Sequence, residues 1–282
     1  MTHEEKIKEF GKRAGAHEVG IAAAADFDAY APEGFRPTDL LPGAKAVVAA
    51  AGAPHKAGDW ISPNPFTMEA TSTADRINGA GRRITSFIEE EFGYYALYVP
   101  PGPRSGHTPF LSLQLCAELA GLGTRSIAGP TLHAKWGMLY FTAVVTTMPL
   151  AADGPLPEPV CPAPACIEMF KVERRTPCTK VCPDCLHADL DVTKERANGL
   201  IKLRTYDRER CHTRSQGFWI GGFQKALEEV LNEPDKERRK MMLYGDYFTR
   251  TLWAITFSAQ NIGQCFECMR VCPVGLEARI LK

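Results

Sequence analysis

The residues of this chain that are best suited to metal or redox chemistry are cysteines, and they are concentrated in its second half. Of ten cysteines in 282 residues, one precedes residue 160 and nine lie between Cys161 and Cys272. In a reducing compartment, thiols at this density stay free for metal binding or catalysis instead of forming disulfides. The second half of the chain is therefore predicted to be a metal-binding or redox module.

Two cysteine motifs end in the same pattern, C-x3-C-P. The later motif is CFECMRVCP, in which Cys265, Cys268 and Cys272 precede a proline. The earlier motif is CTKVCP, which places Cys178 and Cys182 at the same spacing. Bacterial ferredoxins carry C-x2-C-x2-C-x3-C-P runs, and the fourth cysteine of each run ligates the other cluster of the pair. The repeated pattern predicts two interlocked [4Fe–4S] clusters.

This crossed arrangement assigns eight of the ten cysteines to two ligand sets. The first set is Cys161, Cys166, Cys178 and Cys272, and the second is Cys182, Cys211, Cys265 and Cys268. Cys185 is left over and could replace Cys161 or Cys166 in the first set. Zinc is the alternative metal for paired cysteines, but structural zinc sites do not require the C-x3-C-P pattern twice. Cys116 lies among leucines, which favours a buried small hydrophobe.

Helix and strand signals alternate in the first half of the chain, which indicates an α/β sandwich or an α+β domain. Thr2 and Glu5 match a capping box at the start of a helix. Strands are predicted over 18–24, 44–52, 94–100 and 137–147, and helices over 72–92, from the N-cap Thr108 and N1 residue Pro109 to Gly121, over 220–232 and over 247–262. The Pro-rich segment AADGPLPEPVCPAPAC is the predicted boundary between domains of residues 1–155 and 156–282.

Charge and hydropathy indicate a soluble chain. Lys and Arg together number 33, as do Asp and Glu, so there is no excess charge to attract nucleic acid or an anionic membrane. The first residues, MTHEEKIKEFGKR, do not match a signal peptide, and no apolar run approaches the roughly 20 residues of a membrane helix. We therefore expect a cytoplasmic protein. No G-x-G-x-x-G after a strand, P-loop, G-x-S-x-G or H-E-x-x-H motif identifies a substrate.

The order of the motifs resembles that of the epoxyqueuosine reductases and, more distantly, the reductive dehalogenases. The matching stretches are EVGIAAAADF, LLPGAKAVVAAAGAPH, LAGLGTRSIAGPTLHAKWG, VVTTMPL, CTKVCP, RERC and CFECMRVCPVG. The resemblance implies a nitroreductase-like α/β sandwich that binds base-off cobalamin, followed by a bacterial ferredoxin-like domain with two [4Fe–4S] clusters. It also implies that the clusters pass single electrons to the cobalt.

The same resemblance suggests candidate residues for catalysis and cofactor binding. Arg125 and Ser126 follow the A-G-L-G turn, and His133 and Tyr140 lie near the strand that would border the corrinoid, so these four are candidate cofactor contacts. The related queuosine enzymes use an acidic proton donor, but the corresponding segment here, SGHTPF, has no carboxylate. His107 is its nearest titratable group and the candidate general acid. Ordinary packing or capping is the competing interpretation for His107, His133 and Tyr140.

The sequence thus predicts a cytoplasmic, corrinoid-dependent iron–sulfur reductase that acts on a small molecule. Its electrons would come from an external donor such as ferredoxin or flavodoxin. The alternative is a non-catalytic protein that transfers electrons or handles a corrinoid for a partner enzyme, which the missing acidic donor and the short C-terminus favour. The neutral charge and the end of the chain soon after Cys272 predict neither a nucleic-acid nor a membrane partner. A homodimer is left open.

Overall fold

The structure is a computed structural model of the chain. It describes residues 1–56, 63–101, 103–105, 108–182, 220–246, 248–249, 252 and 267–279. The helices are α1 (His3–Arg13), a 3-10 helix (Ala24–Ala29), α2 (Pro37–Leu40), α3 (Pro63–Phe92), α4 (Leu113–Leu119), α5 (Pro164–Glu173), α6 (Pro177–Val181), α7 (Ile220–Asn232), α8 (Lys236–Tyr244), α9 (Glu267–Arg270) and α10 (Leu276–Arg279). The strands are β1 (Glu18–Ala23), β2 (Ala46–Gly52), β3 (Ala96–Val99), β4 (Pro103–Ser105), β5 (Thr108–Pro109), β6 (Thr124–Arg125), β7 (Thr131–His133), β8 (Gly137–Met138) and β9 (Tyr140–Thr146).

The first helix begins with the predicted capping box. The Glu5 amide donates to the Thr2 hydroxyl over 3.2 Å, and the Thr2 amide donates to the Glu5 carboxylate over 2.8 Å. These two bonds satisfy backbone donors that the first turn of a helix leaves free. Gly15 then takes a φ of 116°, which ends the helix and turns the chain toward β1.

The central sheet is antiparallel, with strand order β1-β2-β9-β3. Strand β2 is buried along its whole length, and its alternate residues belong to two different hydrophobic cores. Val47 and Ala49 face the core that includes α4, whereas Val48 and Ala50 face the core formed with α1 and α3. The apolar run of β2 therefore reflects helices packed on both faces of the sheet. The predicted α+β fold class is confirmed.

The predicted start of helix α4, at Thr108 and Pro109, is wrong. Thr108 and Pro109 form β5, which pairs with β4, and the helix begins at Leu113. Ser112 provides the N-cap, because its hydroxyl accepts a hydrogen bond from the Leu115 amide over 3.3 Å. Two Ser/Thr N-cap candidates lie four residues apart, and the strand pairing of the first leaves the second to cap the helix.

The predicted strand over 137–147 is divided between two sheets. Strand β8 pairs with β7 in a small sheet of order β6-β7-β8, which we call the hairpin sheet, whereas β9 enters the central sheet. Helix α3 begins at Pro63, earlier than predicted, and α7 has the predicted bounds. Most of the helix predicted over 247–262 lies outside the described residues.

A third hydrophobic core joins the hairpin sheet to the cysteine-containing segments. Leu132 of the hairpin sheet and Ile127 of the loop between β6 and β7 pack there with Cys161 and Cys178, and with Met269 near the C-terminus. The two halves of the sequence thus share buried apolar surface, and the predicted division at residue 155 stays a prediction. None of the described helices combines the length and hydropathy needed to cross a lipid bilayer.

The close contact between β1 and the end of α4 predicts that a methyl group added at Gly20 lowers stability. A Cβ at Gly20 would overlap the Ala120 carbonyl oxygen, which belongs to the backbone and cannot rotate away. Gly20→Ala should therefore lower the free energy of unfolding by about 2 kcal/mol, as overpacked cores do. Urea denaturation followed by circular dichroism measures the change.

Gly79→Ala is the matched control. Gly79 lies in α3, and a Cβ there would meet only the Arg83 side chain at 3.8 Å. Alanine is a better helix former than glycine by about 1 kcal/mol, so this variant should be more stable than the wild type. Equal effects of the two substitutions would contradict the predicted packing of β1 on α4.

Candidate metal centre

Five cysteines line one cavity in the third hydrophobic core. They are Cys161, Cys166, Cys178, Cys268 and Cys272, and we call this space the cysteine cavity. It contains about 340 Å³ of empty space, part of which is open to solvent. Except for Ser126, the other described residues that line it are apolar, including Ile127, Leu132 and Val274. The cavity therefore combines a high density of thiols with an apolar wall.

The first three cysteines lie in or just before the helices α5 and α6. Cys161 precedes α5, and Cys166 lies in the first turn of α5, where its amide donates to the Ala163 carbonyl over 2.9 Å. Cys178 lies in the first turn of α6, next to the N-cap residue Thr176. The Thr176 hydroxyl is 3.2 Å from the Cys178 sulfur, within hydrogen-bonding distance. The exposed fraction of the Cys161 and Cys166 residues is 5% each, and that of Cys178 is 8%.

The C-terminal cysteines lie on a turn that is fixed at both ends. Cys268 belongs to α9, and the Cys272 amide donates to the Met269 carbonyl over 3.2 Å. The Arg279 guanidinium donates to the Met269 carbonyl over 3.0 Å and also to the Cys272 carbonyl. Gly275, with a φ of 70°, packs directly on Gly137 of the hairpin sheet. These contacts bring Cys272 to the same cavity as cysteines about a hundred positions earlier in the chain.

The thiols of the cavity resist ionisation. Burial raises the pKa of Cys166, Cys178 and Cys272 to about 11 in each case. Neighbouring thiols add to the effect of burial: Cys161 raises the pKa of all three, and Cys178 raises that of Cys166. Four thiolates in this apolar space require nearby positive charge, which bound metal supplies as it deprotonates its ligands. The donor set and its environment therefore fit a metal centre.

A single zinc ion is the alternative to a cluster in the cysteine cavity. Within the described ranges, no three His, Cys, Asp or Glu side chains form a group that could hold one ion. A tetrahedral zinc site with Zn–S bonds of about 2.3 Å brings its thiolates to roughly 3.8 Å of one another. The preference for an iron–sulfur cluster over zinc is a prediction from the repeated C-x3-C-P pattern.

The remaining predicted ligands are only partly placed. Cys182 is buried in the same core, and Cys268 lines the cysteine cavity, although the sequence assigned both to the second set. Cys185, Cys211 and Cys265 lie outside the described residues, as does the candidate acid His107. Cys116 is fully buried in the core next to the central sheet, and burial raises its pKa, as expected for a small hydrophobic residue.

Arg125, a predicted corrinoid contact, is paired with a buried carboxylate. Its guanidinium lies 2.5 Å from the Glu118 carboxylate, which also accepts from the Thr131 hydroxyl over 3.0 Å. Burial raises the pKa of Glu118, and Arg125 opposes that rise. The pair connects α4 to the hairpin sheet. Sequence reasoning missed Glu118, although a lone acidic residue in an apolar helix, seven positions before an arginine, was a usable signal.

His133, another predicted contact, caps a turn. Its Nδ1 atom accepts from the Lys135 amide over 3.1 Å and from the Trp136 amide over 3.3 Å. Burial lowers the pKa of His133, which favours the neutral ring that this acceptor role requires. His133 therefore stabilises the connection from β7 to β8.

Tyr140 and Ser126 are the other two predicted contacts. Tyr140 is half-buried between two hydrophobic cores, and burial raises the pKa of its phenol. Ser126 lines the cysteine cavity. Arg125 and His133 thus have structural contacts within the fold, and Ser126 faces the thiols. The described side chains do not by themselves form a corrinoid site.

The fold matches structures of one group of reductases. No family model matches the chain, and no curated protein matches its sequence. A crystal structure of epoxyqueuosine reductase with a tRNA stem loop aligns with 17% identity and a TM-score of 0.54, over 99% of this chain and 66% of that one. The enzyme from Streptococcus thermophilus aligns with 14% identity and a TM-score of 0.52, over 98% and 67%. The enzyme from Bacillus subtilis aligns with 16% identity and a TM-score of 0.52, over 96% and 64%.

These matches establish the fold of the chain. The chain has the fold of the epoxyqueuosine reductases, so the resemblance that the sequence motifs indicated is confirmed at that level. It spans about two thirds of the length of those structures. Identities below one fifth carry no assignment of substrate or partner.

The tight packing of Gly275 on Gly137 predicts that this contact protects the Cys272 thiol from alkylation. A Cβ at Gly275 would overlap the Gly137 amide, so Gly275→Ala should displace the turn that carries Cys272. In metal-free protein, Cys272 should then react with iodoacetamide several times faster than in the wild type, as followed by mass spectrometry.

Gly93→Ala separates this clash from backbone strain. Gly93 has the same φ of 70°, but a Cβ there would meet no atom within 4 Å. Both variants should lose about 1 kcal/mol of stability from the left-handed backbone, but only Gly275→Ala should expose Cys272. Equal alkylation rates in the two variants would exclude the glycine contact as the cause.

Proposed function

We propose that the chain is an iron–sulfur oxidoreductase in which Cys161, Cys166, Cys178 and Cys272 bind one [4Fe–4S] cluster. The observation that supports this most strongly is the convergence of these four thiols, three of them buried and Cys272 partly buried, on one cavity. The sequence assigned these four residues to the first set, with Cys185 as a possible replacement for Cys161 or Cys166, whereas the fifth cysteine of the cavity, Cys268, was assigned to the second set. Iron–sulfur clusters are held by cysteine thiolates, and an apolar, buried setting is one determinant of their reduction potential.

A second [4Fe–4S] cluster is proposed at Cys182, Cys211, Cys265 and Cys268, within a ferredoxin-like domain of residues 156–282. Its support is the repeated C-x3-C-P pattern and the position of Cys182 in the same core as the first set. Cys268 lines the cysteine cavity, so the two ligand sets would lie next to each other. Adjacent clusters suit the transfer of single electrons.

The residues around the cavity would hold the first cluster in place. Thr176 can donate its hydroxyl proton to the Cys178 sulfur, and Arg279 fixes the turn that carries Cys272. The apolar wall would keep the local dielectric around the sulfurs low. The bound cluster supplies one-electron redox chemistry, and the protein sets the potential through these contacts and through burial.

Cobalamin, bound in a nitroreductase-like domain of residues 1–155, is the proposed acceptor of the electrons. This part of the proposal rests on the order of the sequence motifs and on the likeness of fold, because the described side chains do not select a corrinoid. The reaction would be the reduction of a small molecule. A protein that only transfers electrons, or that reduces a corrinoid for a partner enzyme, is the alternative.

A small molecule is the proposed substrate even though a similar structure contains a tRNA stem loop. The chain has 33 basic and 33 acidic residues, so it lacks the net positive charge with which proteins attract phosphate backbones. Filter binding of tRNA at low salt checks this, and saturable binding in the micromolar range would overturn it.

The ligand assignment predicts the iron content of a cysteine variant. After anaerobic reconstitution, Cys178→Ala should lose at least half of the roughly eight iron atoms that two clusters contain, because one thiolate of the first set is missing. Iron analysis and the absorbance near 400 nm measure the loss. Cys116→Ala is the control and should keep its iron, since Cys116 lies in a different core. Full iron retention in Cys178→Ala would contradict the assignment.

A spectral titration tests the corrinoid part of the proposal. Iron-loaded protein mixed anaerobically with hydroxocobalamin and reduced by dithionite should show the spectrum of base-off cobalamin, saturating at one equivalent. No change from the spectrum of free cobalamin would remove the corrinoid from the proposal and leave the iron–sulfur assignment intact. Binding without turnover of any substrate would favour the electron-transfer alternative.

A further inference from the structure

Ser126 occupies an unusual position in the wall of the cysteine cavity. It follows β6 and lies in the loop before β7, and its exposed fraction is 2%. Of the described residues that line the cavity, all others are apolar or cysteine. Ser126 is therefore the one hydroxyl of this lining.

Both backbone polar groups of Ser126 make hydrogen bonds within the loop. Its amide donates to the Pro130 carbonyl over 2.9 Å, and its carbonyl accepts from the Gly129 amide over 3.0 Å. The hydroxyl is buried and has no hydrogen-bond partner among the described residues. A buried hydroxyl without a partner is unfavourable, and such groups in native proteins have a ligand, ion or water to bind.

The chemistry of the cavity limits what that partner can be. The other described side chains that line the cavity carry no oxygen or nitrogen acceptor, and no described cysteine sulfur accepts from the Ser126 hydroxyl, so a sulfur atom of a bound group is the acceptor that this lining leaves. The Thr176 hydroxyl, in contrast, already contacts the Cys178 sulfur at 3.2 Å. The loop from β6 to β7 thus supplies a hydroxyl donor from the side of the hairpin sheet.

We propose that Ser126 donates a hydrogen bond to a sulfur atom of the iron–sulfur cluster that the cysteine cavity binds, and so raises the reduction potential of that cluster. The proposal rests on the iron–sulfur assignment made above. A reduced cluster carries one more negative charge than an oxidised one, so a donor to sulfur stabilises the reduced form more. Ser126 acts as a positioning and tuning residue and not as a ligand.

The test is the midpoint potential of the cluster in Ser126→Ala, measured by redox titration with electron paramagnetic resonance detection. The potential of one cluster should shift to more negative values while the iron content stays that of the wild type. Ser126→Thr keeps the hydroxyl and should retain the wild-type potential. Ser86→Ala, at an exposed serine of α3, is the control and should change neither quantity.

The possible failures are distinguishable. A wild-type protein that binds no iron overturns both this proposal and the proposed function. An iron-loaded Ser126→Ala with an unchanged potential overturns the role of Ser126 alone. If Ser126→Ala loses iron and Ser126→Thr keeps it, the hydroxyl is needed to hold the cluster, and the tuning role is overturned. If neither variant holds iron, an anaerobic crystal structure of the wild type decides, and a Ser126 hydroxyl beyond hydrogen-bonding distance of every sulfur overturns the proposal.

Discussion

The charge that four thiolates would bring into one largely apolar cavity is the constraint on which the second half of this structure depends. Cys161, Cys166, Cys178 and Cys272 line one largely apolar cavity, where burial and neighbouring thiols raise the pKa of the last three. A water-exposed site would relieve this with solvent, but the wall here is built from hydrophobic side chains. Arg279 supplies positive charge beside Cys272, and bound metal would supply the rest, so cofactor and fold are expected to stabilise each other.

The first half of the chain supplies the support for that cavity. The hairpin sheet provides the apolar wall, and Gly137 in that sheet receives Gly275 from the C-terminal turn. The pair of Arg125 with Glu118 attaches the same sheet to α4, and α4 packs on the central sheet. A continuous series of contacts therefore runs from the central sheet to Cys272. This explains why residues predicted as cofactor contacts have structural roles here.

The sequence predicted those parts of the fold that depend on local pattern. The capping box of α1, the buried strands β1 and β2 and the bounds of α7 were visible because cap residues and apolar periodicity act over a few positions. It missed the start of α4, where two cap candidates compete, and the division of residues 137–147 between two sheets. That division depends on pairing with β2 and β7, which a local pattern does not reveal. Cysteine spacing grouped the four thiols, but the Ser126 hydroxyl beside them is a product of tertiary packing, and iron ligation stays a prediction.

The most direct test of the central claim is the metal content of the full chain, isolated without oxygen and examined by Mössbauer spectroscopy with parallel iron, sulfide and zinc analysis. The account predicts about eight iron atoms and about eight acid-labile sulfides per chain, with the quadrupole doublets of [4Fe–4S] clusters. A colourless protein that contains zinc in place of iron and sulfide would contradict it.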